Sequence, residues 1–182
     1  MSILNILNEE GKIIGKEERD VIHRDGLRHQ EINVWFHTPQ GEIIFQHRAR
    51  DKDTWSDKLD ATAGGHVELG DDYDRAAVLE IKEETGLDVG IDDLESMGVF
   101  RTESIDVVGG TENKTFREVY IYQYEGDIED LVIEEGAAIG FEAWKIDDVL
   151  NMKEKDKKRF IPSAFSDEVM DIFRVIKKRL DK

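Results

Sequence analysis

The chain has 182 residues, with 42 Asp or Glu against 25 Lys or Arg, a formal net charge of −17. At roughly 100–200 residues per domain that is a single domain over 1–182, and a surface so acidic repels phosphate backbones, so no nucleic-acid partner is expected. The absence of cysteine excludes disulfides, thiolate metal sites and cysteine nucleophiles.

A cytoplasmic location without a membrane partner is expected. Apolar runs stay at a few residues, short of the ~18 that span a bilayer, and residues 1–8 lack the basic and apolar regions of a signal peptide. Residues 1–16 read as an N-terminal β-hairpin turning at Asn8-Glu9-Glu10-Gly11, whose edge strand offers a surface for a homodimer. A polar stretch, 17–30, follows. Glu31 to His37 alternates, with Ile32, Val34 and Phe36 on one side, and Glu42 to His47 returns after the turn Thr38-Pro39-Gln40-Gly41. Residues 48–60 read as a polar loop, and Leu59 to Ala63 as a short buried strand.

Asp72 to Thr85 is the clearest helix. Asp71 or Asp72 can cap it, Ala76, Ala77 and Ile81 line one side, and Gly86 ends it. Strands are expected at 97–102, 116–124 and 140–146, with a polar, Gly-rich loop over 108–115. Trp35 and Trp144 are expected in the core, and Tyr120, Tyr122 and Tyr124 on one face of a strand. A short helix starts at Ile146, residues 153–159 read as a Lys-rich loop, and Ser166 caps a final helix over about 166–181. Its apolar face is Val169, Ile172, Phe173, Ile176 and Leu180. Mixed strands among helices point to an α/β or α+β sandwich.

The chemistry concentrates between Gly64 and Leu87. Glu80, Glu83 and Glu84 stand at i, i+3 and i+4, on one helical face, where like charges repel. One reading is a solvated acidic face. The other is a site for a hard divalent cation, which takes oxygen ligands where carboxylates converge. Gly64, Gly65 and Gly70, just before the helix, allow close backbone approach and favour the second reading.

Residues 65–87 resemble the Nudix box, G-x5-E-x7-R-E-U-x-E-E-x-G-U with U a bulky aliphatic residue. Gly65, Glu80, Ile81, Glu83, Glu84, Gly86 and Leu87 match. Asp71 stands in place of the first glutamate and Leu79 in place of the arginine. The resemblance implies an α/β/α sandwich with a mixed sheet, and hydrolysis of a nucleoside diphosphate linked to another group with Mg²⁺ or Mn²⁺. Glu80, Glu83 and Glu84 would hold the metal, with the Gly65 carbonyl joining them. Leu79 cannot orient a neighbouring catalytic glutamate as the family's arginine does. Arg75, four residues after Asp71, is a candidate replacement.

Within that family, Val21 to His29 and Gln46 to Trp55 look like the isopentenyl-diphosphate isomerase branch. That likeness implies that Arg48 and Lys52 hold the substrate diphosphate, as a guanidinium and an ammonium suit phosphate oxygens. Trp55, on the same loop, is a further ligand-contact candidate. The likeness also implies a second metal site from His23, His29, His66 and Glu118, with Phe116 where a further ligand would stand. Glu118 is the best candidate for an extra catalytic base. The isomerase needs a cysteine that this chain lacks.

Two functions follow. The first is a metal-dependent hydrolase of a small-molecule diphosphate, by water attack at phosphorus. The second is a Nudix-fold binding or regulatory module whose catalysis Leu79 and Asp71 have weakened. The leaving group on the diphosphate is not legible in the residues.

Overall fold

A computed structural model describes residues 2–51, 54–105, 112–134 and 136–181. Strands β1 (Ile3–Leu7) and β2 (Ile13–Glu18) form an antiparallel hairpin separate from the main sheet. Helix α1 (Arg19–Asp25) leads into β3 (His29–His37), β4 (Glu42–Arg48), β5 (Leu59–Asp60) and β6 (Ala63–His66). Helix α2 (Tyr73–Thr85) precedes β7 (Glu95–Ile105), β8 (Glu112–Gln123) and β9 (Ala138–Lys145). Helices α3 (Ile146–Leu150), α4 (Glu154–Lys157) and α5 (Asp167–Leu180) complete the described chain.

The main sheet has the strand order β5-β4-β3-β8-β7, with β6 also pairing β3 and β9 pairing β4. Only the β3–β8 pair is parallel among these described pairs, so the sheet is mixed. Strand β3 is buried along most of its length because both of its faces carry core. Ile32, Val34 and Phe36 pack with Ala76, Ala77 and Ile81 of α2. Trp35 points the other way, edge-on to Phe173 of α5 with ring centroids 5.0 Å apart. The period-two pattern read from the sequence thus separates two cores, and the architecture is an α/β/α sandwich.

Trp144 is half-buried against the α5-side core, and the three tyrosines pack on the α2 side.

Four local expectations are corrected. The polar stretch 17–30 contains α1, which has one buried residue, Ile22, and closes on Gly26 in the left-handed region. With a single apolar anchor it leaves no helical periodicity to detect. The segment 59–63 is two short strands, split where the Thr62 hydroxyl donates to Ile44 O and accepts from Phe36 N–H. That side chain replaces a rung between β3 and β4. Residues 112–115, expected in a loop, begin β8, and residues 108–111 lie outside the described chain. The Lys-rich segment 153–159 holds the one-turn helix α4. Among the described residues, no helix is long and apolar enough to cross a membrane.

Candidate active site

A cavity of about 590 Å³ opens between α1, β6, α2 and the loop after β4. Helix α2 forms its acidic wall. Asp72 caps the helix by accepting the Arg75 N–H at 2.9 Å, and Gly86 ends it at φ 73°. Ala76, Ala77, Ile81 and Thr85 are buried against the sheet, which fixes the rotation of α2. That rotation brings Glu80, Glu83 and Glu84 to the cavity.

Strand β6 supplies the opposite lip. Gly64 N–H donates to Glu84 Oε2 at 2.9 Å. The Glu80 carboxylate lies where a Cβ on Gly65 would stand, so glycine is required there for close approach rather than for a special φ. Burial, then Glu83, Glu134 and Glu68, pushes Glu80 up to about 7, with Arg19 acting in the opposite direction. Burial, then Glu80, pushes Glu84 up to about 8 despite the Gly64 hydrogen bond. Among the described residues, none of the three glutamates has a Lys or Arg ion-pair partner. Two desolvated carboxylates, Glu80 and Glu84, with the exposed Glu83 on the same helical face and the backbone of Gly64 and Gly65 beside them, offer the oxygen donors a hard divalent cation takes. The residues present therefore fit a hard divalent cation.

The other side of the cavity is basic and imidazole-rich. One ring nitrogen from each of His23, His29 and His66 lies within 4.8 Å of the others, and His23 Nε2 is 3.0 Å from His66 Nε2. His29 Nδ1 lies 3.0 Å from Leu27 O, while its buried Nε2 has no hydrogen bond. Burial holds His66 down to about 3 and lowers His23. Both shifts leave the His23 and His66 imidazoles neutral at neutral pH, with lone pairs to offer. The carboxylate beside them is Glu31, 3.6 Å from His29 Nε2 and 3.5 Å from His66 Nε2. Burial opposes its ionisation, but Arg117 and the histidines outweigh that and hold Glu31 well below the usual carboxylate range. Arg117 donates to Glu31 through Nε at 3.2 Å and Nη2 at 2.7 Å, and Asn113 adds a third bond at 2.9 Å.

Glu118 is not in this group. In the parallel register Glu31 pairs with Arg117, and Ile32 pairs with Glu118. Glu118 therefore shares the α2-side face of Ile32, where it accepts the Ser96 hydroxyl at 2.6 Å, and it does not line the cavity. One residue of strand alternation exchanges Glu118 for Glu31 as the carboxylate beside the histidines. Glu31 carried a usable signal, because it lies opposite Ile32 in an alternating strand next to His29.

Arg48 and Trp55 line the cavity. Arg48 is tethered by Nη1 to Asp60 at 3.2 Å and by Nη2 to Thr54 O at 3.1 Å. Trp55 adopts φ 50°. Lys52 lies outside the described residues. Asp71 and Leu79 also line the cavity. Arg75 does not; its exposed side chain pairs with Asp71 at 2.6 Å. It therefore does not supply a guanidinium to Glu80, Glu83 or Glu84. Two residues not singled out from the sequence act on the site, Arg19 of α1 and Glu134 of the segment before β9. Neither belongs to a motif, and only the fold brings them near α2.

Residues 27–164 match the NUDIX domain family. An uncharacterized Nudix hydrolase of Clostridium acetobutylicum is 29% identical over 149 residues, which are 80% of this chain and 71% of that protein. Nudix hydrolase 3 of Arabidopsis thaliana is 28% identical over 181 residues, 96% of this chain but 23% of that protein. Among solved structures, DR0079 of Deinococcus radiodurans is similar with a TM-score of 0.69 at 17% identity, covering 95% of this chain and 98% of that one. At that identity the last likeness concerns the fold. The domain match covers well over half of the chain and includes Gly65 and the three glutamates of α2, so the chain belongs to the Nudix family and takes its place among the Nudix hydrolases.

Proposed function

We propose that the protein hydrolyses a diphosphate linkage in a nucleoside-diphosphate-type small molecule, using Mg²⁺ or Mn²⁺ on Glu80, Glu83 and Glu84 with the Gly65 carbonyl. The observation that carries this reading is that the three glutamates of α2 line one cavity with no Lys or Arg ion-pair partner among the described residues, Glu80 and Glu84 being driven up toward neutrality by burial and neighbouring carboxylates. A divalent ion bound there supplies charge neutralisation at the diphosphate and a lowered pKa for water. Water then attacks one phosphorus, the bridging P–O bond breaks, and the water's proton passes to a carboxylate. Gly64 N–H holds Glu84 in place throughout. Arg48, fixed by Asp60, and Trp55 stand where the remainder of a substrate in the cavity would contact them.

Incubation with Mg²⁺ and a panel of ADP-ribose, dinucleotides and nucleoside triphosphates tests the proposal. Metal-dependent product release in the wild type, lost in Glu83→Gln, is expected. Tight ligand binding without turnover would instead favour the binding-module reading, which Leu79 at the box arginine position motivates.

The histidine side is proposed as a second metal site, formed by His23, His29 and His66 with Glu31 in place of Glu118. Neutral imidazoles suit a borderline ion such as Zn²⁺ or Co²⁺ rather than Mg²⁺. Visible absorption on Co²⁺ addition, absent in His66→Ala, is expected. A homodimer would form through β2, exposed along its whole length with Ile13 and Ile14 outward. Light scattering decides that point.

A further inference from the structure

Three arginines line the cavity, Arg19, Arg48 and Arg117. Arg48 is committed to Asp60 and Thr54 O, and Arg117 to Glu31. Among the described residues, the exposed Arg19 side chain has no hydrogen-bond or ion-pair partner, although Glu31, Asp60, Glu68, Asp71 and the glutamates of α2 share the cavity with it. Its backbone, by contrast, is pinned. The Arg19 N–H donates to Ser2 O at 3.1 Å, and fully buried Ile22 anchors α1 one turn later. The charge of Arg19 is felt by Glu80 on one side and by His23 and His66 on the other. Across the cavity, where the family pattern has a guanidinium on α2, Leu79 offers none.

We propose that Arg19 is the anion anchor of this active site, its free guanidinium taking non-bridging oxygens of the substrate's diphosphate between the α2 carboxylates and the histidine cluster. The inference rests on the hydrolase reading and adds to it a residue outside the box. A guanidinium presents parallel N–H donors to phosphate oxygens and stays charged at every working pH. The metal-binding carboxylates lower the affinity of the empty cavity for anions. An unpaired cation on a fixed backbone offsets that repulsion without competing for the carboxylates as a bridging partner would.

Calorimetric titration with inorganic pyrophosphate in excess Mg²⁺ tests the anchor, using wild type, Arg19→Ala, Arg19→Lys and Arg24→Ala. Arg24 lies on the same helix outside the cavity, paired with Asp25, and controls for damage to α1. Loss of a charge-assisted pair is expected to weaken pyrophosphate binding about tenfold or more in Arg19→Ala. Arg19→Lys should recover part of the loss, and Arg24→Ala should match wild type. Binding of Mg²⁺ alone should survive in Arg19→Ala, and the loss with substrate should fall on KM more than on kcat. Pyrophosphate affinity in Arg19→Ala within twofold of wild type overturns the anchor, and wild-type turnover of the diphosphate panel then leaves the hydrolase reading standing. If the wild type neither binds pyrophosphate with Mg²⁺ nor turns over the panel, both proposals fall together.

Discussion

Replacing Glu84 with Gln should make the metal-free protein more stable while weakening its hold on Mg²⁺. Glu84 rises from an ordinary 4.5 to about 8 because burial, Glu80, Asp60 and Glu134 outweigh the Gly64 N–H. The folded state therefore retains a proton that the unfolded state releases near pH 4.5. Folding stability is fully present below that value and falls as pH rises toward 8. At about 1.4 kcal/mol for each tenfold change in proton affinity, the ionised carboxylate costs on the order of 5 kcal/mol above pH 8. Glutamine keeps an oxygen for Gly64 N–H and removes the charge, and relaxation around Glu80 reduces the gain, so about 1–3 kcal/mol of stabilisation is expected at pH 9. For a chain of this length that is roughly 2–10 °C in Tm. The assay is thermal and urea unfolding in EDTA at pH 5 and pH 9, repeated with excess Mg²⁺. The variant should match wild type at pH 5, exceed it at pH 9, and lose that advantage with Mg²⁺, because ligand that binds only the folded state stabilises wild type more. A variant no more stable than wild type at pH 9 in EDTA would refute the claim that these carboxylates crowd one another.

Four further outcomes are expected. Gly65→Ala puts a Cβ where the Glu80 carboxylate sits, so Mg²⁺-dependent turnover should fall at least tenfold while the circular dichroism spectrum stays native. Glu118→Gln should leave turnover within a few-fold of wild type, because Glu118 bonds Ser96 outside the cavity; a collapse to background would restore it as the base. Arg75→Ala should leave Mg²⁺ affinity in calorimetry unchanged, since its exposed side chain pairs with Asp71 and not with a glutamate of α2. Ile81→Ala, in the fully buried contact of α2 with the sheet, should cost about 2–5 kcal/mol in urea unfolding.

The legible part of the site was the part written along one helix. Glu80, Glu83 and Glu84 reach the same face by helical spacing alone, and Gly65 precedes them at a fixed distance in the chain. Strand parity was legible in the same way for Ile32, Val34, Phe36 and Trp35, each of which is buried on the expected side. Helix α1 is not legible in the sequence, because one buried isoleucine gives no period. The choice between Glu31 and Glu118 is not legible either, because it depends on which residues of β3 and β8 lie opposite one another.

What the amino-acid order determined unaided is therefore local: the α2 carboxylate face, its glycine-rich approach, and the alternation that separates two cores. Periodicity acts over a few residues, and a single chain displays it without knowing its neighbours. Tertiary structure decided what crosses between elements: that His23, His29 and His66 meet beside Glu31, that Arg48 is tied to Asp60, and that Arg19 stands unpaired opposite α2. Those pairings depend on strand register and helix docking, and burial set by the whole sandwich then moves Glu80, Glu84 and His66 away from their ordinary proton affinities.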